Sequence, residues 1–269
     1  MDEGFFGPGS VSWKVHREVT VLFGGARALL MQAAHPLVIA GARESGFYRR
    51  DPWRRLQRTL MLTYALTFGT RDEAEQAAAH INAVHRSVRG VDRVTGKPYD
   101  AFDPELLLWV HACLVDSALL FEQYTVGRLD EEGRQRFHEE QMLAAELLHL
   151  ARSAIPPTVA GLRSYIDDVV AGDDLVVTDA AREVADMFHR PPPEAEWRPI
   201  LRAVAWWAFG SLPPRLRERY GVSWNPLKEV AMRANLRAVR HLRPALPPRF
   251  RYILPAQRAA RRMGVAVST

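Results

Sequence analysis

The chain has 269 residues, 48% hydrophobic and 25% charged, with a formal net charge of +5. That balance belongs to a folded globular protein and excludes a disordered or collagen-like chain. The single cysteine, Cys113, excludes an intrachain disulfide framework and a CxxC metal knuckle, and a cytoplasmic location is the expectation.

The opening residues, Met1-Asp2-Glu3-Gly4-Phe5-Phe6-Gly7-Pro8, are not a basic start followed by an apolar stretch, so export by the usual signal is not expected. Apolar residues then recur at helical spacing through Val11 to Leu22, Gly25 to Gly41, Pro52 to Phe68, Asp72 to Gly90 and Pro104 to Tyr124. The same spacing continues through Glu131 to Ala154, Val159 to Ala171, Thr178 to Phe188, Glu194 to Phe209 and Pro226 to Leu242. Asp51-Pro52 and Asp103-Pro104 each pair a capping side chain with a proline at the first helical position, and Gly41, Gly69 and Gly90 close preceding segments. Pro191-Pro192-Pro193 and Pro213-Pro214 are connecting breaks. No strand pattern, repeat or low-complexity linker interrupts this series, so the reading is one all-α domain of about ten helices over residues 1–269.

The segment Pro104 to Tyr124 is apolar in nearly every direction, as a helix buried on all sides is. Its uncharged run Leu106 to Val115 stops at Asp116, short of the ~20 residues a bilayer requires, and no transmembrane helix is expected. His111, Cys113 and Asp116 are then buried as well. The cysteine reads as a small hydrophobe rather than a thiolate ligand. His111 and Asp116 are either structural, satisfied by neighbours, or part of a site.

Three blocks early in the chain place ionisable side chains on faces that should point inward: Gln32-Ala33-Ala34-His35-Pro36, Asp51-Pro52 leading to Arg55 and Thr59, and His85-Arg86-Ser87-Val88-Arg89-Gly90. Such groups are costly unless paired or bound to something. In the third, Ala74, Ala77, Ala78, Ile81, Val84, His85 and Val88 form one stripe at about 100° per residue. A stripe built of alanine leaves room either for another helix backbone or for a flat ligand, and His85 beside it reads as an axial ligand or as a hydrogen-bonded core residue. In the second, Arg55, Thr59, Leu62, Thr63 and Leu66 share a face. An always-charged arginine there wants a carboxylate, either a cofactor's or that of Asp116, while Arg54 and Arg58 point elsewhere. His35 either reaches the site or caps the segment that Pro36 begins.

Two further features carry weaker signals. Arg240, Arg243, Arg249, Arg251, Arg258, Arg261 and Arg262 fall together with no acid among them, separated by prolines and apolar residues. They read as a segment strapped across the domain, with peripheral contact to an anionic membrane as the other use. No nucleic-acid motif accompanies them, and nucleic acid is not an expected partner. Glu146-Leu147-Leu148-His149 and Asp186-Met187-Phe188-His189 have the spacing of a di-iron carboxylate site, but Glu146 and His149 lie off the apolar stripe of their helix.

Taken in order, Trp13 to Arg17, Gly24 to Leu30, the His35 block, Asp51-Pro52 with Arg55-Leu56 and Thr59, Phe68-Gly69, His85 with Val88 and Gly90, and Trp109-Val110-His111 with Asp116-Ser117-Ala118 resemble the oxygenase MpaB family. That family shares its catalytic domain with the latex clearing proteins, the rubber oxygenases. Leu212-Pro213, Leu246-Pro247 and Arg258 to Arg262 extend the likeness over essentially the whole chain.

The resemblance implies a globin-like helical domain holding haem b and using dioxygen on an apolar small molecule. It implies His85 as the proximal iron ligand and Arg55 and Thr59 as the pair beside the haem. Arg89 and His111 join them as cofactor-binding candidates, and Thr59 or His35 as groups that hydrogen-bond oxygen species. Where rubber oxygenases carry a lysine that closes the iron, this chain has Arg58, which does not coordinate iron. Rubber oxygenases are secreted and longer, so an extracellular polymer is not the expected substrate. Two other classes stay open: a non-catalytic helical protein, with haem or without a cofactor, and the di-iron protein.

Overall fold

The computed structural model describes the backbone of residues 2–44, 52–189 and 198–268, and their side chains except at 44, 52, 53, 55 and 189. The protein is all-α, with eleven helices of seven or more residues among those described. The first expected helix is two, α1 (Val11–His16) and α2 (Val19–Leu22), because Glu18 adopts extended backbone and turns into the interior. The second is also two, α3 (Gly24–Ala33) and α4 (Pro36–Glu44), and the chain bends by 105° between them. Proline has no N–H to continue a helix, and His35 instead supplies the carbonyl that accepts the Ile39 amide at 3.1 Å in the first turn of α4.

Helix α5 (Pro52–Phe68) runs as expected, and α6 (Arg71–His85) starts on a capping box in which Thr70 and Glu73 satisfy each other's backbone amides. Helix α6 stops at His85 and not at Gly90, the end expected from the sequence. Arg89–Val91 (β1) pairs antiparallel with Pro98–Asp100 (β2), Gly90 facing Tyr99. The turn is set by Asp92, whose carboxylate accepts from the Thr95 amide and hydroxyl at 2.8 and 2.7 Å, and by Gly96 at φ +69°.

Helix α7 (Pro104–Thr125) is the centre of the fold, wrapped by α2, α3, α9 (Val159–Ala171) and α13 (Pro226–Leu242). By length and composition it could cross a membrane, but most of its surface is buried against these neighbours. Trp109, Leu119 and Phe121 are buried almost completely, each worth about 1.5–3 kcal/mol in surface removed from water. The closest approach is at Gly24 of α3, where a Cβ would stand 2.8 Å from the Ser117 carbonyl. The same two helices share a buried polar joint. Arg27 pairs with Asp116 at 2.8 Å and donates to Ser117 Oγ at 2.7 Å and the Ser211 carbonyl at 2.9 Å, so Asp116 is spoken for by Arg27.

Helix α8 (Glu131–Glu146) ends eight residues earlier than its periodicity suggests. His149 takes φ +66°, its amide donates to Glu146, and the Leu150 amide reaches back to Ala145 while the Leu150 side chain is buried. That is a Schellman ending with histidine where glycine is usual. Beyond α9 come α10 (Asp179–His189), α11 (Arg198–Gly210), α12 (Pro214–Arg219), α13, α14 (Pro248–Arg251) and α15 (Leu254–Met263). The basic segment does strap the molecule: Arg243 pairs with buried Glu18 at 2.7 Å, Tyr252 bridges to Glu18, and Arg262 donates to the Phe68 carbonyl at 2.9 Å.

Candidate functional site

The site builds outward from the end of α6. Ala74, Ala77 and Ala78 are buried, and Ala77 and Ala78 pack with Leu62, Ala65 and Leu66 of α5, so this part of the alanine stripe is occupied by a helix. The stripe departs from the sequence reading at Val84, which is exposed, whereas Asn82 is buried and donates to the Leu147 carbonyl at 2.9 Å. His85 lies one turn past this packing and is half-buried, its Nδ1 enclosed without a hydrogen-bond partner. Burial, helped by nearby His149, lowers its pKa, so the ring is neutral at pH 7.

The ring's neighbours come from the Ala101–Asp103 turn before α7. Phe102 stands edge-on to His85 at 5.8 Å between centroids and edge-on to His149 at 5.4 Å on its other side. Arg86, Phe102 and His149 line an open depression of about 290 Å³. His35 is half-buried as well, its Nδ1 is enclosed and unpartnered, and burial lowers its pKa against the opposing charges of Asp174 and Asp103.

The remaining candidates are placed elsewhere or differently. Thr59 is exposed on α5, so the face expected to turn inward does so only from Leu62 onward; Thr63 donates back to the Thr59 carbonyl at 3.0 Å. Arg58 is exposed and lies 3.1 Å from His80 Nε2. Arg55 sits in α5, and its side chain lies outside the described residues. Arg89 is exposed and donates to the Arg86 carbonyl at 3.1 Å. His111 belongs to a second histidine group, its ring 6.5 Å from that of His138, which is itself 2.7 Å from the Pro156 carbonyl through Nε2. His111 Nε2 is enclosed without a partner, and burial lowers its pKa to about 4. The Cys113 thiol is fully buried and pushed well above its usual pKa, so it holds its proton.

For the di-iron motif, Glu146 and His149 are both exposed, with His149 past the end of α8. No group of three or more metal-ligating side chains occurs among the described residues. The side chain of His189, in the looser motif, lies outside the described residues. Phe102 and Asn82 are site residues the sequence reading missed, and His149, singled out there only for the di-iron motif, stands instead against Phe102. The signal available for His149 was its place next to buried Leu150, hidden because no glycine marks the turn.

The donor chemistry of His85 suits a haem iron: a half-buried imidazole at a helix end whose Nδ1 is enclosed, which leaves Nε2 as the nitrogen that would bind a metal. The class defined is an all-α domain presenting neutral imidazoles at helix ends. A family model described as the catalytic domain of the ER-bound oxygenase mpaB/B'/rubber oxygenase matches residues 13–241, and the chain belongs to that family. Membership implies an oxygenase-type function. Two relatives described as uncharacterized proteins, one from Mycobacterium bovis and one from Mycobacterium tuberculosis, are each 26% identical over 215 residues, covering 76% of this chain and 81% of theirs. No solved structure matches the chain.

Proposed function

We propose that this protein is a haem b-dependent oxygenase that uses dioxygen on an apolar small molecule, with His85 as the proximal iron ligand. The observation that carries the reading is a half-buried His85 at a helix end whose imidazole makes no hydrogen bond to the protein, in a chain of this family. Haem, when bound, supplies the redox centre for activating dioxygen. Burial lowers the His85 pKa from its ordinary value and so favours the neutral ring, whose lone pair is available near neutral pH. Phe102 fixes the ring's angle and keeps water from that edge. Arg55 and Arg89 are the guanidiniums suited to propionates, with Thr59 and His35 as hydrogen-bonding groups.

A second reading, a cofactor-free or non-catalytic member of the family, is favoured by one observation: leucines of α5 fill the space beside the alanine stripe. Absorption spectra separate the two. Protein expressed with added haem should show a Soret band that shifts with carbon monoxide after reduction. His85→Ala should lose the band while keeping its helical circular dichroism. No band in the parent protein, with iron absent by elemental analysis, defeats the haem reading and leaves the second.

A further inference from the structure

The segment between Arg243 and Tyr252 leaves the body of the molecule and returns to the same place. Arg243 is buried and donates to Glu18 Oε1 at 2.7 Å, and Arg251 stands 3.7 Å from the other carboxylate oxygen. Buried Tyr252 bridges by its backbone to Glu18, and the Ile253 amide donates to the Arg17 carbonyl at 2.9 Å. Both ends are therefore fastened to residues 17–18, and every residue from 244 to 250 is exposed. Six of these seven are apolar, Arg249 being the exception. Leu246 is 45% and Phe250 57% exposed, and Leu242 and Leu254, at 67% and 51%, extend the patch on either side of the loop. Exposed apolar patches of this kind mark surfaces that something covers.

Charge selects what covers it. From Val230 to Thr269 there are nine arginines and no acid. Arg249 and Arg258 form no ion pair among the described residues, and Glu18, the acid at the base of the loop, is buried and already paired. A second copy of the same surface would bring arginine against arginine, which disfavours self-association through it. Nucleic acid would meet the arginines but leave three leucines against water. An anionic bilayer satisfies both halves, with apolar side chains below the headgroups and guanidiniums among the phosphates.

We propose that loop 244–250 is a membrane-contact element that enters the interface of an anionic lipid bilayer through Leu246 and Phe250, held there by Arg249 and Arg258. The proposal is independent of the haem reading. The test is flotation of the full-length protein with vesicles of phosphatidylcholine alone and with about a third replaced by phosphatidylglycerol. Binding should favour the anionic vesicles and weaken with added salt. Leu246→Ser/Phe250→Ser should weaken it by at least about tenfold, and Arg249→Gln/Arg258→Gln by about tenfold on anionic vesicles. These positions are exposed, and unchanged circular dichroism would verify that both variants fold. Wild-type partitioning by the double serine variant overturns the proposal, as does equal binding to neutral vesicles. So does failure to bind vesicles, whether accompanied by dimers that the serine variant abolishes or by tight oligonucleotide binding.

Discussion

Asp116 illustrates what one residue carries in this molecule. Its carboxylate meets Arg27, whose side chain is 5% exposed, at 2.8 Å and Arg163, 46% exposed, at 3.8 Å. Asp116→Ala should therefore cost about 3–5 kcal/mol in urea denaturation, because it strands a buried guanidinium. Arg163→Ala, removing the solvated partner, should cost no more than about 1 kcal/mol. From sequence, Asp116 was expected to be buried because the helix around it is apolar in nearly every direction; it is partly buried, its side chain 14% exposed, and its partner was not legible. Arg27 belongs to the helix that packs most closely on α7, and nothing local to either residue says so. The same limit applies at the site. Periodicity brought His85 and His35 to the interior side of their segments, whereas Phe102 and His149 reach His85 only through turns remote in the chain.

Helix starts were legible where a capping side chain and a proline mark them, whereas glycine was a poorer guide to ends: Gly41 lies inside α4 and α6 stops before Gly90. Asp103-Pro104 starts α7 as capping chemistry requires, the Asp103 carboxylate accepting from the Glu105 amide. Ends set by tertiary contact were missed: α1 stops because Glu18 turns inward to Arg243, and α8 stops on a left-handed histidine. His149→Gly should raise stability by up to about 1 kcal/mol, since glycine adopts that backbone without the Cβ penalty. A thermal denaturation midpoint several degrees higher is the readout. Gly24→Ala should do the opposite and lose about 1–3 kcal/mol, because its Cβ meets the Ser117 carbonyl and the Phe121 ring and forces α3 from α7. The β1–β2 hairpin escaped detection because its strands are three residues long, too short to show alternation.

For the molecule as a whole, buried histidines set the response to acid. Burial holds His16 and His111 near pKa 4, below the ordinary value of 6.5 that they regain on unfolding. Between those values the unfolded chain binds more protons, so stability should fall as pH drops from about 6.5 to 4, by up to about 1.4 kcal/mol per pH unit for each histidine. Urea midpoints measured across that range provide the check, with His111→Gln expected to flatten the slope. The all-α class was plain from composition and period, but the tie between residues 17–18 and 243–253 was not, being a contact across 225 positions. That tie has a meaning for synthesis. At roughly 5–20 residues per second, the ribosome releases Glu18 well before its arginine partners emerge. Glu18 therefore stays in water while most of the chain is made, and the buried ion pairs that fasten the α1–α2 corner form only after Arg243 and Arg251 have emerged.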